Sequence, residues 1–136
     1  MNARPKAWLA QARNDLDLAV LGSQEGFHAQ ACFFASQAAE KALKGAILEL
    51  GVEPAHTHQL TELVDCLTQL GMPTEPLEQL RLKPLSRMAT STRYPDNETP
   101  PLDRFDRVDA EESIRSAQEV LRTVELWDTP QDAEAP

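Results

Sequence analysis

Residues 27–50 lie in the longest proline-free run of the chain and consist almost wholly of helix-forming residues. Their apolar residues follow two lines at three- and four-residue spacing, one beginning at Phe27 and Ala31 and the other at Cys32 and Ala35. A helix with two apolar faces must be covered on two sides, so this segment is predicted to be a central helix. The remaining polar strip of this helix consists of Gln37, Glu40, Lys41 and Lys44.

The segments on either side of this helix also show helical spacing. The first helix is predicted to begin near Pro5 and to end at Gly22, and the short link that follows predicts an antiparallel hairpin with the central helix. A third helix is expected to start with Thr57 as its cap. A fourth, capped by Thr74, should be kinked or divided by Pro84.

Residues 90–106 interrupt the helical pattern with three prolines and form the longest predicted loop. A loop of this length in a small domain is often functional. Tyr94, Leu102 and Phe105 are expected to anchor it. A final helix follows, with Asp106 or Asp109 as its cap, and residues 129–136 are expected to be a flexible polar tail.

The sequence therefore predicts an all-α fold, an up-and-down antiparallel four-helix bundle with one additional short or kinked helix. A chain of 136 residues is long enough for one compact core, so residues 1–128 are interpreted as a single domain. No apolar run approaches the ~18 residues of a membrane span, and residues 1–12 lack a signal-peptide core. A cytoplasmic protein with no membrane partner is expected.

Charge and cysteine content narrow the function classes. The formal net charge of −9 argues against a general nucleic-acid coat. Residues 79–95 contain no acid, so either a local anion-binding surface or a solvated helix face is expected there. Its basic residues are Arg81, Lys83, Arg87 and Arg93. Cys32 and Cys66 lie on apolar helix sides and are interpreted as buried free thiols.

Two stretches carry a family resemblance: residues 37–63 (QAAEKALKGAILELGVEPAHTHQLTEL) and Arg-Tyr-Pro-Asp at residues 93–96. Together, in this order, they resemble the HEPN family (higher eukaryotes and prokaryotes nucleotide-binding domain). The resemblance covers roughly residues 5–127. It implies a helical bundle, a homodimer, and a nucleotide or RNA as the ligand. It also implies a minimal nucleotidyltransferase as the partner in a toxin–antitoxin-like pair.

The same resemblance raises the question of ribonuclease activity. Many HEPN ribonucleases carry an arginine four to six residues before a histidine, and no arginine stands at that spacing before His28, His56 or His58. No catalytic residue is therefore predicted, and no metal site or cofactor is expected. The function expected is a binding and assembly module. A metal-independent HEPN-type ribonuclease with an unconventional or degenerate active site is the alternative.

Six residues are candidates for ligand binding: Lys41, Lys44, His58, Arg93, Tyr94 and Asp96. In this hypothesis the Arg93 loop folds back on the central helix and closes a polar cleft. Arg93 offers a planar fork for phosphate, and Tyr94 offers a ring for base stacking. Two structural alternatives stay open, namely that the lysines only form intrahelical pairs and that Arg93 is a latch on Asp96 or Glu40.

Overall fold

The computed structural model describes residues 1–128, and that part of the chain forms seven helices without a regular strand, which confirms the predicted all-α bundle. The predicted tail, residues 129–136, lies outside the described residues. In chain order the helices are α1 (Ala3–Gln24), α2 (His28–Glu49), α3 (Leu60–Gln69), α4 (Glu75–Glu78), α5 (Leu82–Ser91), α6 (Pro101–Arg104) and α7 (Arg107–Trp127).

Helices α1 and α2 form an antiparallel hairpin. The first helix was expected to end at Gly22, but it continues to Gln24. The turn is made instead at Gly26, whose φ of +86° is a conformation that glycine adopts without steric cost. The two helices approach closely at Gly45, where an added Cβ would lie 3.2 Å from the Cβ of Trp8 and 3.3 Å from the Pro5 carbonyl oxygen.

Helix α2 is the centre of the bundle, and its alanines and Leu43 are among the most deeply buried residues of the chain. One of its faces packs on α1 and another on α7. This agrees with the two apolar lines in its sequence. Phe27 and Leu50, which extend those lines, are exposed because they lie at the two caps of the helix.

The segment between α2 and α7 corrects two sequence-based predictions. Helix α3 begins at Leu60, so Thr57 is not its cap. The Thr57 hydroxyl accepts a hydrogen bond of 3.0 Å from the Gln59 amide, and the Leu60 amide donates to Ser86 Oγ. The fourth helix divides before Pro84, at residues 79–81. Pro84 falls in the first turn of α5, where proline is tolerated.

The predicted loop is shorter than expected, because α5 extends to Ser91 and α6 occupies Pro101–Arg104. Tyr94 and Leu102 do not anchor this segment, since both are largely exposed; Phe105 packs against the core as expected. Polar contacts hold the segment in place, including a hydrogen bond of 3.0 Å from Arg104 Nη2 to the Ser91 carbonyl.

Helix α7 begins as the sequence predicts. Asp106 is its N-cap and forms a reciprocal capping box with Asp109. At its other end, the amino group of Met1 lies 3.3 Å from an Asp128 carboxylate oxygen, and Arg13 pairs with Glu125. Helix α7 is therefore antiparallel to α1 and runs in the same direction as α2. Within residues 1–128, no helix is long and apolar enough to cross a membrane.

Candidate functional site

The polar strip of α2 holds a buried charge cluster around Glu40. One carboxylate oxygen of Glu40 accepts a hydrogen bond of 3.0 Å from Lys44 Nζ, and the other lies 2.8 Å from His58 Nδ1. The Glu40 and Lys44 side chains are only 8% and 11% exposed. Two of the candidate ligand-binding residues, Lys44 and His58, are thus brought together by a carboxylate that engages both.

Lys41 has a different partner. Its amino group pairs with the buried carboxylate of Asp15 on α1, and the other oxygen of that carboxylate accepts a hydrogen bond of 3.0 Å from Gln11 Nε2. Asp15 was not recognised in the sequence. Its position between Ala12 and Ala19 on the apolar side of α1 was the available signal, because a charged residue on a buried face needs a partner.

Arg93 lies against aromatic rings. Its guanidinium carbon is 5.5 Å from the centroid of the Phe33 ring on α2 and 5.7 Å from that of the Tyr94 ring. These are cation–π distances. Phe33 in turn meets Phe34 edge to face at 5.2 Å, and Phe34 packs against the core. The Arg93 segment therefore does contact the central helix, as expected from the sequence, but through a ring that was not predicted.

The six candidate residues form separate groups. Phe33 precedes Glu40 by seven residues, which is about 10 Å along an α-helix, so the Arg93 contact lies about two turns from the Glu40 cluster. Arg93 forms no ion pair with Asp96 or Glu40 or with any other carboxylate of residues 1–128. Asp96 instead forms a backbone bridge with Thr99.

Phe33 is the residue of this site that was not predicted from the sequence. The two apolar lines of the central helix contain Phe34 but not Phe33. A large aromatic residue outside both buried faces was therefore a signal that a further element covers the helix at this point. That element is the turn after α5, which carries Arg93 and Tyr94.

The Cys32 thiol and the His28 imidazole are two further groups of the domain that could take part in chemistry. Burial raises the pKa of the Cys32 thiol to about 11, so the thiol stays protonated at neutral pH and is a poor nucleophile. His28 Nδ1 is buried and has no hydrogen-bond partner in the described part of the chain. Across residues 1–128, no group of three or more His, Cys, Asp and Glu side chains is arranged to hold a metal ion.

Comparison with known proteins places this fold and its motifs in one family. The HEPN domain profile matches residues 5–127. The protein TT1696 from Thermus thermophilus is 38% identical, with a TM-score of 0.78, over 93% of this chain and 98% of that chain. ST0689, an archaeal HEPN homologue, is 31% identical, with a TM-score of 0.74, over 92% of this chain and 98% of that chain. Among curated proteins, none matches the chain.

A third solved structure agrees in fold. The HEPN domain protein tm0613 from Thermotoga maritima has a TM-score of 0.62 over 91% of this chain and 99% of that chain, at 24% identity. The profile match spans almost every helix described above, and the relatives are covered nearly end to end. The chain belongs to the HEPN domain family, whose members are helical modules of the nucleotide-binding and ribonuclease type.

Proposed function

We propose that this protein is a HEPN binding and assembly module that forms a homodimer and binds a nucleotide or another anionic ligand through Arg93. Its proposed partner is a minimal nucleotidyltransferase, with which it acts in a toxin–antitoxin-like pair. The proposal that Arg93 binds the ligand rests on which of the candidate cations already pair with a carboxylate. Lys41 and Lys44 each have a carboxylate partner, whereas Arg93 is exposed and has none within residues 1–128.

The setting of Arg93 suits anion binding. Its guanidinium is held over the Phe33 ring and therefore loses less freedom on binding than a mobile side chain would. Its planar fork of N–H donors matches the oxygen geometry of phosphate and carboxylate groups. The latch on Asp96 or Glu40 that the sequence left open does not form within residues 1–128, because the contacts of Arg93 are to rings and not to a carboxylate.

Replacing Arg93 with alanine should weaken nucleotide binding by about 1–3 kcal/mol, the range for a lost charge-assisted hydrogen bond. A panel of adenine and guanine nucleotides is expected to raise the melting temperature of the wild-type protein and to have less effect on Arg93→Ala. Arg107→Ala is the matched control, because Arg107 is also exposed and pairs with Glu111 within its own helix. Equal stabilisation of wild type and Arg93→Ala would remove Arg93 from the site.

The proposed homodimer is supported by exposed apolar residues at the α1–α2 connection. Leu18 and Leu21 are three residues apart on α1, and Phe27, at the start of α2, donates its amide to the Gly22 carbonyl at 2.8 Å. Leu18, Leu21 and Phe27 are 44%, 54% and 57% exposed, respectively. A cluster of this kind is typical of an interface between subunits, and two-fold dimers are the commonest oligomers.

Light scattering at micromolar concentration is expected to give about twice the chain mass of 15.1 kDa. Leu21→Glu should shift the protein to the monomer mass, because it places a charge in the apolar cluster. Leu126→Glu is the control, since Leu126 is similarly exposed but lies at the last turn of α7. A wild-type monomer would contradict the dimer, and dissociation by Leu126→Glu alone would contradict the location.

The nucleotidyltransferase partner is proposed from the family resemblance. A reading frame for a small nucleotidyltransferase beside the gene, and co-purification of the two chains after joint expression, are the expected results.

The alternative function, an unconventional ribonuclease, requires groups that move protons at the 2′-hydroxyl and at the leaving oxygen. Robust RNA cleavage without metal that disappears in His58→Ala or Arg93→Ala would favour that alternative over the binding module.

A further inference from the structure

The aromatic contacts of Arg93 carry information about the ligand beyond its negative charge. Arg93 lies over two rings that come from different parts of the chain, Phe33 from α2 and Tyr94 from the turn after α5. Phe33 is fixed by its edge-to-face contact with Phe34. The position of the cation is therefore set by the central helix and not only by the turn.

Tyr94 differs from Phe33 in that its ring is largely exposed to solvent. The residue is 68% exposed although its side chain is a large ring, and the Tyr94 side chain makes no hydrogen bond within the described residues. An exposed ring next to an arginine is the combination on which nucleobases stack, because every base has a π-face. Tyr94 thus offers a flat surface directly beside the proposed phosphate-binding group.

The surrounding charge limits how many phosphates the site can accept. Asp96 and Glu98 follow Tyr94 closely in the chain and are both exposed, and the chain has a formal net charge of −9. Affinity for nucleic acid strands normally comes from several basic side chains that neutralise successive phosphates. Arg104, which donates to the Ser91 carbonyl, brings a second positive charge to this segment, and the two acids offset both arginines. This balance favours a ligand with few phosphates that gains the rest of its affinity from stacking.

Building on the proposed anion site at Arg93, we infer that the group Phe33, Arg93 and Tyr94 binds a mononucleotide, with the base stacked on Tyr94 and the phosphate accepting hydrogen bonds from Arg93. Phe33 is a positioning residue in this arrangement, since it holds the guanidinium and does not touch the ligand. A phosphate group without a base, and a longer single strand of RNA, are the poorer ligands.

Isothermal titration with AMP, ribose 5-phosphate and an oligoadenylate of eight nucleotides tests this inference on the full chain. AMP is expected to bind more tightly than ribose 5-phosphate. Tyr94→Ala should raise the AMP dissociation constant roughly 5- to 150-fold, the fold-change that corresponds to the stacking of one base. The same variant should leave ribose 5-phosphate binding unchanged, and Tyr94→Phe should restore AMP binding because it keeps the ring. Leu102→Ala is the control, as Leu102 is exposed in the same segment.

The possible failures are distinguishable. Equal binding of AMP and ribose 5-phosphate, both lost in Arg93→Ala, would overturn the stacking inference and leave the proposed anion site standing. Oligoadenylate binding more than tenfold tighter than AMP, with a steep salt dependence, would overturn the mononucleotide inference and show that the site takes a nucleic acid strand. If none of the three ligands binds at millimolar concentration, both the inference and the ligand part of the proposed function are wrong.

Discussion

Replacing Glu40 with alanine is expected to lower the free energy of unfolding by roughly 3–5 kcal/mol, the cost of removing one partner of a buried ion pair. The Glu40 carboxylate is the hydrogen-bond partner of the Lys44 ammonium group, and both side chains are almost fully enclosed. Without it, the largely buried charge of Lys44 loses its carboxylate partner. Urea denaturation followed by circular dichroism measures the loss, and little of it should come from His58, which is mostly exposed.

Two further variants test whether the loss of stability in Glu40→Ala comes from the unpaired Lys44 charge. In the double variant Glu40→Leu with Lys44→Met, most of the lost stability should return, because apolar residues of similar volume can replace a buried pair at little cost. Glu62→Ala is the matched control, since Glu62 is an exposed helical glutamate, and its effect should stay within about 0.5 kcal/mol. If Glu40→Ala costs less than about 1 kcal/mol, the buried pair is not a major stabilising contact.

Gly45→Val is expected to destabilise the domain by roughly 2–3 kcal/mol through overpacking between α1 and α2. A Cβ at this position would press on the backbone oxygen of Pro5 and on the Cβ of Trp8. Neither is the far end of a flexible side chain, so the helices themselves must separate to make room. Thermal unfolding measures the effect as a lower melting temperature.

Gly22→Ala is the control for the general effect of removing a helical glycine. An added Cβ there would meet its nearest atoms at 3.7–3.9 Å, which is ordinary van der Waals contact. The variant should therefore gain about 0.5–1 kcal/mol from helix propensity and a less flexible unfolded chain. Equal stabilisation by Gly22→Ala and Gly45→Val would contradict the close approach of the two helices.

The helical framework was predictable because it depends on local patterns. Two apolar lines on α2, the capping acids at the start of α7 and glycines near helix ends are all visible within a few turns of sequence. The prediction of the α3 start was wrong because a tertiary contact determines where that helix begins. The α3 start is set by Ser86, which binds the Leu60 amide from twenty-six residues away. No local pattern around Thr57 contains that information.

The candidate site was predicted only as a set of residue types. Local sequence showed the pairing of Glu40 with Lys44 at four-residue spacing, and the structure contains it. The pairing of Lys41 depends on Asp15, whose carboxylate reaches α2 from α1 and could not be located from the pattern of α2 alone. The contact of Arg93 with Phe33 joins positions sixty residues apart, so only the folded chain reveals it.

The late position of α7 in the chain has a consequence for how the protein folds. Helices α1 and α2 are neighbours in sequence, so their hairpin can close early from local contacts. The second apolar face of α2 is covered by α7, which follows only after residues 50–106. During synthesis from the N-terminus, α7 cannot cover that face until it leaves the ribosome, and nascent chains shortened before α7 should be the species that chaperones bind and that aggregate.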